Sequence, residues 1–151
     1  MMNQFIYRLA QPSDLPNLLQ ASVGNDGKVI DVDLLPQLIE DDRVYCAVSG
    51  DEIVALIYWQ EDFLLRKDIW FLCQVTSKPS WRKKGVAYNL LCSFFDYARN
   101  FGVKKIYFDI HLNNQPSLNL FKKVGAIKSG DINGFDDEAP EDSRIIFRVN
   151  L

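Results

Sequence analysis

The sequence has little of what builds metal centres or disulfide scaffolds. Three cysteines (Cys46, Cys73, Cys92) and one histidine (His111) occur in 151 residues. No CxxC or HExxH pairing is among them, which speaks against a protein-held metal. An odd set of cysteines in apolar or helical surroundings reads as reduced thiols, the state expected in a cytoplasm. Long apolar runs are missing too: the longest, Ile53 to Trp59, falls far short of the roughly 20 residues that cross a bilayer. Met1-Met2-Asn3-Gln4 lacks the basic segment and apolar core of a secretory signal. With no repeat, low-complexity tract or Pro/Gly-rich linker, a single domain over residues 1–151 is expected.

What is present suits a soluble globular domain: 48% apolar, 13% aromatic and 25% charged residues, enough to build a core without disulfides. The formal net charge of −3 conceals a strong unevenness. Lys78, Arg82, Lys83, Lys84, Arg99, Lys104 and Lys105 face one acid, Asp96, between residues 78 and 105. Two acidic stretches answer them. Asp26 to Asp42 holds Asp26, Asp31, Asp33, Glu40, Asp41 and Asp42 against Lys28, and Asp131 to Asp142 holds Asp131, Asp136, Asp137, Glu138, Glu141 and Asp142 with no base. Solvated loops are the plain reading of both acidic stretches.

Local patterns give an element order. Phe5 to Ala10 reads as a strand, followed by a helix from about Asp14 with Ser13 as its cap and Pro16 tolerated in the first turn. A short helix around Asp33 to Asp41 has Pro36 near its start. Val44 to Val48 and Ile53 to Gln60 are strands joined by the hairpin signal Ser49-Gly50-Asp51-Glu52. Ile69 to Thr76 is an interior strand, apolar on both faces. Val86, Ala87, Leu90, Leu91, Phe94, Tyr97, Ala98 and Phe101 share one arc of an amphipathic helix. Asn89, Cys92, Ser93, Asp96, Arg99 and Asn100 lie opposite, and Gly102 stops it. Lys105 to His111 is a strand. Gln115 to Lys123 is a helix that Asn114 caps, with Lys122 and Lys123 at its negative end and Gly125 beyond. Strands at about Ala126 to Ser129 and Arg144 to Val149 follow, so the order predicts an α/β (α+β) sheet with helices on both faces.

The most informative segment runs from Val75 to Ala87: a strand, a basic turn and a helix start. Free amides at such a start, with the dipole behind them, form an anion site. Gly85 and Ala87 let the backbone approach a pyrophosphate, and Arg82, Lys83 and Lys84 add charge-assisted hydrogen bonds. The plain alternative for Lys78, Lys83 and Lys84 is a solvated basic loop. GxxxxGK[ST] is absent, and one of the three GxGxxG glycines is present, so neither nucleotide motif applies.

Arg82-Lys83-Lys84-Gly85-Val86-Ala87 has the form Q/R-x-x-G-x-G/A, and with it the sequence resembles the GNAT superfamily of acyl-CoA-dependent N-acyltransferases. Pro79 before it and the long apolar helix after it fit as well. Asn114-Gln115-Pro116-Ser117-Leu118-Asn119-Leu120-Phe121-Lys122-Lys123-Val124-Gly125-Ala126 is similar to the family's N-x-x-[AS]-x-x-L-[YF]-x-x-x-G-[FA] segment. The resemblance implies a mixed, mostly antiparallel sheet of six to seven strands with helices on both faces. It also implies acetyl-CoA as cosubstrate and no metal. By it, the backbone of Val75, Thr76 and Ser77 pairs with the pantetheine arm. Arg82 and the amides from Lys83 through Lys84, Gly85, Val86 and Ala87 hold the pyrophosphate. Asn114 contacts the pantetheine, with Ser117 and Phe121 of its segment on the cofactor side.

The implied reaction is direct attack of a primary amine on the thioester. An alkylammonium must first lose a proton held about 3.4 pH units above neutrality, a barrier of roughly 4 to 5 kcal/mol. The oxyanion needs a donor, which the N–H near Val75 supplies, whereas the departing thiolate needs the least help. The family often carries a tyrosine acid seven residues after the Asn; this chain has Phe121 there, and a strand carboxylate found in some relatives is also missing. Candidate bases are His111, with Asp109 on its strand face, and Glu61 and Asp62 at the end of the second hairpin strand. Cys73 reads as a buried structural thiol rather than a nucleophile, and Tyr58, Trp59 and Trp70 as core or pocket wall.

The function expected is therefore an N-acetyltransferase acting on a small-molecule or peptide amine, cationic if the acidic stretches line its path. The alternative is a non-catalytic acyl-CoA-binding sensor. A short basic cluster in an acidic chain argues against nucleic acid. Neither a membrane partner nor a signal sequence is indicated, a homodimer is left open, and a cytoplasmic location is expected.

Overall fold

The computed structural model describes residues 5–21, 33–82, 84–132 and 144–151. In chain order the elements are β1 (Phe5–Leu9), α1 (Leu15–Ala21), α2 (Leu35–Glu40), β2 (Val44–Ser49), β3 (Glu52–Gln60), β4 (Ile69–Ser77), α3 (Val86–Asn100), β5 (Lys105–His111), α4 (Gln115–Lys123), β6 (Ile127–Ile132) and β7 (Arg144–Asn150). The strands form one sheet in the order β1-β2-β3-β4-β5-β7-β6. β4 and β5 run parallel, pairing Ile69–Phe71 with Lys105–Tyr107, while β1-β2, β2-β3, β5-β7 and β6-β7 are antiparallel. The mixed, mostly antiparallel sheet is thus seven-stranded. The chain divides into two compact units, Met1–Trp59 with Gln74–Asp96 and Gln60–Cys73 with Tyr97–Leu151.

In the first unit, alternation along β2 builds two apolar layers. Val44, Cys46 and Val48 cluster with Leu18 and Ala21 of α1 and Leu35 and Ile39 of α2. Tyr45 points the other way, where its hydroxyl lies 2.6 Å from that of Ser93 and its ring 5.9 Å from Phe94, both on α3. Helices therefore cover both faces of this hairpin. A bulge keeps the layers in step. Ala47 pairs with Ala55 and Val48 with Ile53, so the extra residue Val54 puts Ile53 and Leu56 on one face despite their odd spacing. Ser93 and Cys92 are half-buried flank positions rather than part of a solvated arc, whereas Asn89, Asp96, Arg99 and Asn100 are exposed.

The start of α1 differs from expectation. Ser13 does not cap it; Pro12–Asp14 forms a 3-10 turn in which Gln11 N–H donates to the Asp14 carboxylate at 2.7 Å. Asp14 also receives both Arg8 guanidinium nitrogens, at 2.7 and 3.0 Å. That pairing, above all, holds its carboxyl below the usual range, with the Gln11 amide adding to it and burial opposing. A carboxylate that binds a cation and an amide at once outcompetes a serine hydroxyl.

In the second unit, Ile106, Phe108, Ile110 and Val149 are buried; the Phe108 ring meets Phe121 in a tilted contact at 4.0 Å and stacks with Phe147 at 5.8 Å. Phe101 does not share the buried arc of α3: the helix stops at Asn100, and Phe101 is 64% exposed, with its ring 6.0 Å from Trp70 at the rim of the cluster. Between β3 and β4, Asp62, Leu64 and Leu65 all adopt left-handed backbone conformations, costly for a side-chain-bearing residue. Leu65 is almost wholly solvent-facing at 98% exposure.

Candidate active site

The basic turn lies within the first unit. β4 ends at Ser77, and Lys78 N–H donates to the carbonyl of the bulge residue Val54 at 2.8 Å. The Lys78 ammonium binds Glu52 at 2.9 Å and is only 14% exposed, so it belongs to neither a solvated loop nor an anion site. Lys78, and after it Trp81, holds the Glu52 carboxyl below its ordinary value. Sequence reasoning missed this pair because its members meet only through the β3 bulge. Pro79–Trp81 forms a 3-10 turn whose Trp81 ring lies edge-on to Phe5 at 5.6 Å. The Lys84 ammonium stands 5.2 Å from the centre of the Trp81 ring, a cation–π contact that holds the side chain on the turn.

Gly85 follows at φ +76°. A Cβ there would make only an ordinary 3.8 Å contact with Asn89 Nδ2, so glycine is required by the backbone angle rather than by crowding. The Gly85 carbonyl accepts the first bond of α3, from Asn89 N–H at 3.1 Å. Amides of the first turn precede that bond and have no intrahelical acceptor, and glycine has no side chain with which to cap them. Val86 is buried and anchors the helix, while Ala87 is half-buried. Lys83 lies outside the described residues. Val75 and Ser77 are half-buried and Thr76 is buried.

The Asn114 segment lies within the second unit. Asn114 N–H donates to the His111 carbonyl at 2.9 Å, and its side-chain oxygen caps α4 by accepting Ser117 N–H at 3.2 Å. Phe121 is buried on Phe108. His111 is half-buried at the end of β5, Glu61 is half-buried, and Asp62 is exposed on the loop. Asp109 is not given to His111: its carboxylate binds Arg144 at 2.9 Å. Cys73 is exposed, not buried. Desolvation of its sulfur, and next the Asp109 carboxylate, push the thiol up to about 11, which keeps it protonated and a poor nucleophile at neutral pH.

Among the described residues no group of three metal-ligating side chains occurs, and no helix is long and apolar enough to cross a membrane. Asp33, Glu40, Asp41 and Asp42 are exposed; Asp26 and Asp31 of the first acidic stretch, and Asp136, Asp137, Glu138, Glu141 and Asp142 of the second, lie outside the described residues.

The sequence matches the acetyltransferase (GNAT) family over residues 6–126. A comparison with curated proteins yields no match. Among solved structures, a GNAT-family acetyltransferase from Bacillus cereus ATCC 10987 superposes with a TM-score of 0.81 at 20% identity, covering 97% of each chain. The ribosomal-protein-S18-alanine N-acetyltransferase of Escherichia coli superposes at 0.83 with 13% identity, over 98% of this chain and 94% of that one. The ribosomal-protein-alanine N-acetyltransferase of Brucella melitensis does so at 0.77 with 19% identity, over 97% and 99%. These are likenesses of fold.

Proposed function

The chain belongs to the GNAT acetyltransferase family, and from that premise we propose that it transfers an acetyl group from acetyl-CoA to the primary amine of a small molecule or peptide. The observation that carries this reading is the start of α3. Gly85, with its positive φ, opens α3 without a side chain of its own to cap the first amides, and Arg82 and Lys84 flank it in the sequence. Main-chain donors, the helix dipole and two cations fit a pyrophosphate. Lys83 joins them by its place in the motif.

Bound there, acetyl-CoA supplies an acyl group activated as a thioester. The chain supplies the rest. The Val75–Ser77 backbone orients the pantetheine arm, a role supported by the confinement of β4–β5 pairing to the first three residues of each strand. Asn114, Ser117 and Phe121 belong to the segment that the family resemblance assigns to the cofactor. Of the three candidate bases, His111 suits the acceptor proton best, being held on a strand while Asp62 sits on a strained loop. Residues 1–151 make up a single acyl-CoA N-acyltransferase domain acting in the cytoplasm. A cationic acceptor is in keeping with the acidic stretches, which attract an ammonium but resist its deprotonation.

Thiol release from acetyl-CoA with a panel of polyamines, amino acids and peptides tests this reading. Turnover with at least one amine is expected, and His111→Gln should lower kcat by about 10²-fold or more with acetyl-CoA affinity retained. Phe121 favours a second reading: with no phenol at that position and its ring buried in the core, the chain would act as a non-catalytic acyl-CoA-binding module. Binding of acetyl-CoA without turnover across the panel would establish the module and overturn the enzyme.

A further inference from the structure

The register of the second unit sorts its side chains onto two unlike faces. Ile106, Phe108 and Ile110 of β5 are buried with Val149 of β7. On the other face, Tyr107 pairs with Arg148, Asp109 with Ile146 and His111 with Arg144, and all but the exposed Arg144 are half-buried. Phe63 lies over the near end of that face, 4.8 Å from Phe71 and 5.8 Å from Tyr107. The result is an aromatic floor beside Arg148.

The two arginines are treated differently. Arg144 has its countercharge in Asp109 at 2.9 Å. Arg148 has none among the described residues: its Nη1 reaches the Ser129 hydroxyl at a long 3.5 Å, and its Nε is buried without a hydrogen-bond partner. Buried donors are rarely left so, least of all on a guanidinium, whose planar fork matches a carboxylate. Among the described residues, the carboxylate on this face, Asp109, is already bound by Arg144.

We infer that this face binds the carboxylate of the acceptor, so that the acceptor is an amino acid or another amine carrying a carboxylate and an apolar group. Arg148 takes the carboxylate, and the Phe63–Phe71–Tyr107 floor takes the apolar part. The inference rests on the acetyl-transfer reading for the word acceptor, but the site itself is a binding claim. A single guanidinium over an aromatic floor favours a planar monoanion of this kind over a phosphate, which draws several cations.

Phenylalanine, tyrosine and tryptophan, each against its decarboxylated amine (phenethylamine, tyramine, tryptamine), test the site by titration calorimetry on the full chain. At least one amino acid should bind roughly ten- to a hundredfold more tightly than its amine, the worth of a charged hydrogen-bonded pair. Arg148→Gln should abolish that preference with acetyl-CoA affinity unchanged, which also shows the variant to be folded, and Arg148→Lys should restore it in part. Equal binding within every pair, no binding of any amino acid, or a preference that survives Arg148→Gln would overturn the site. Thiol release measured on the same samples is a separate readout. No release alongside a clear Arg148-dependent preference would sink the acetyl-transfer reading and leave the carboxylate site standing.

Discussion

Three helix starts in this molecule are finished in different ways. At the entry to α1, Asp14 takes the Gln11 amide and the Arg8 guanidinium together. At α4, Asn114 takes the Ser117 amide. At α3, the residue in the same position is Gly85, which has no side chain to offer and a backbone angle that side-chain-bearing residues rarely adopt. The first two starts are closed by the chain's own side chains; at the third, glycine offers none, and under the proposed function that start holds an anion. All three obey the same rule about unpaired amides, and the proposed cofactor role of α3 rests on how its start differs from the other two.

Closing the open start should have the largest effect. Gly85→Val forces a β-branched residue into the left-handed region, and acetyl-CoA affinity measured calorimetrically should fall roughly a hundredfold, the worth of one or two amide–phosphate bonds. Unchanged affinity would mean that α3 does not hold the cofactor. Opening the closed start at α1 comes next: Asp14→Ala should cost about 2 kcal/mol, seen as a fall of about 4 to 8 °C in Tm, with little effect on acetyl-CoA. This cost carries a pH signature. Because the folded carboxyl titrates below its unfolded value, its contribution is present above about pH 4 and is lost as pH falls through the lowered folded value. Wild type and Asp14→Ala should therefore converge in Tm in strong acid; a gap that stays constant would show that the charge is not responsible.

Asn114→Ala should cost about 1 kcal/mol of stability, and Asn114→Ser should recover most of it by supplying another capping oxygen. Any loss of acetyl-CoA affinity that remains in Asn114→Ser then belongs to the amide's own contact. The smallest effect is expected from Lys84→Gln. Its ammonium rests on the Trp81 ring in solvent, so affinity should drop only a few-fold at low salt and hardly at all at high salt.

What could be read in advance follows how far apart the interacting residues lie. The α4 helix, its Asn114 cap and the glycine that opens α3 are set by neighbours within a few positions, and each stands where the pattern put it. Lys78 was readable as a cation but not as the partner of Glu52, 26 residues earlier, since their meeting depends on the bulge at Val54. Phe101 continues the helical period by arithmetic, yet Gly102 ends the helix one residue too soon for the ring to be covered. Cys73 sits in an apolar stretch whose outward face has no helix over it among the described residues. The pairing of Asp109 with Arg144, and the lack of a carboxylate for Arg148 among the described residues, rest on a strand register across 35 or more residues that no local pattern contains.

The loop holding Asp62, Leu64 and Leu65 has a practical consequence for handling this protein. A surface turn that already bends against the preference of its residues, with a leucine extended into water, is where new chain termini, a short inserted tag or a protease nick would disturb the sheet least. Replacing Leu65 with glycine should relieve the backbone and remove a sticky patch in one change, a first variant to make for crystallisation.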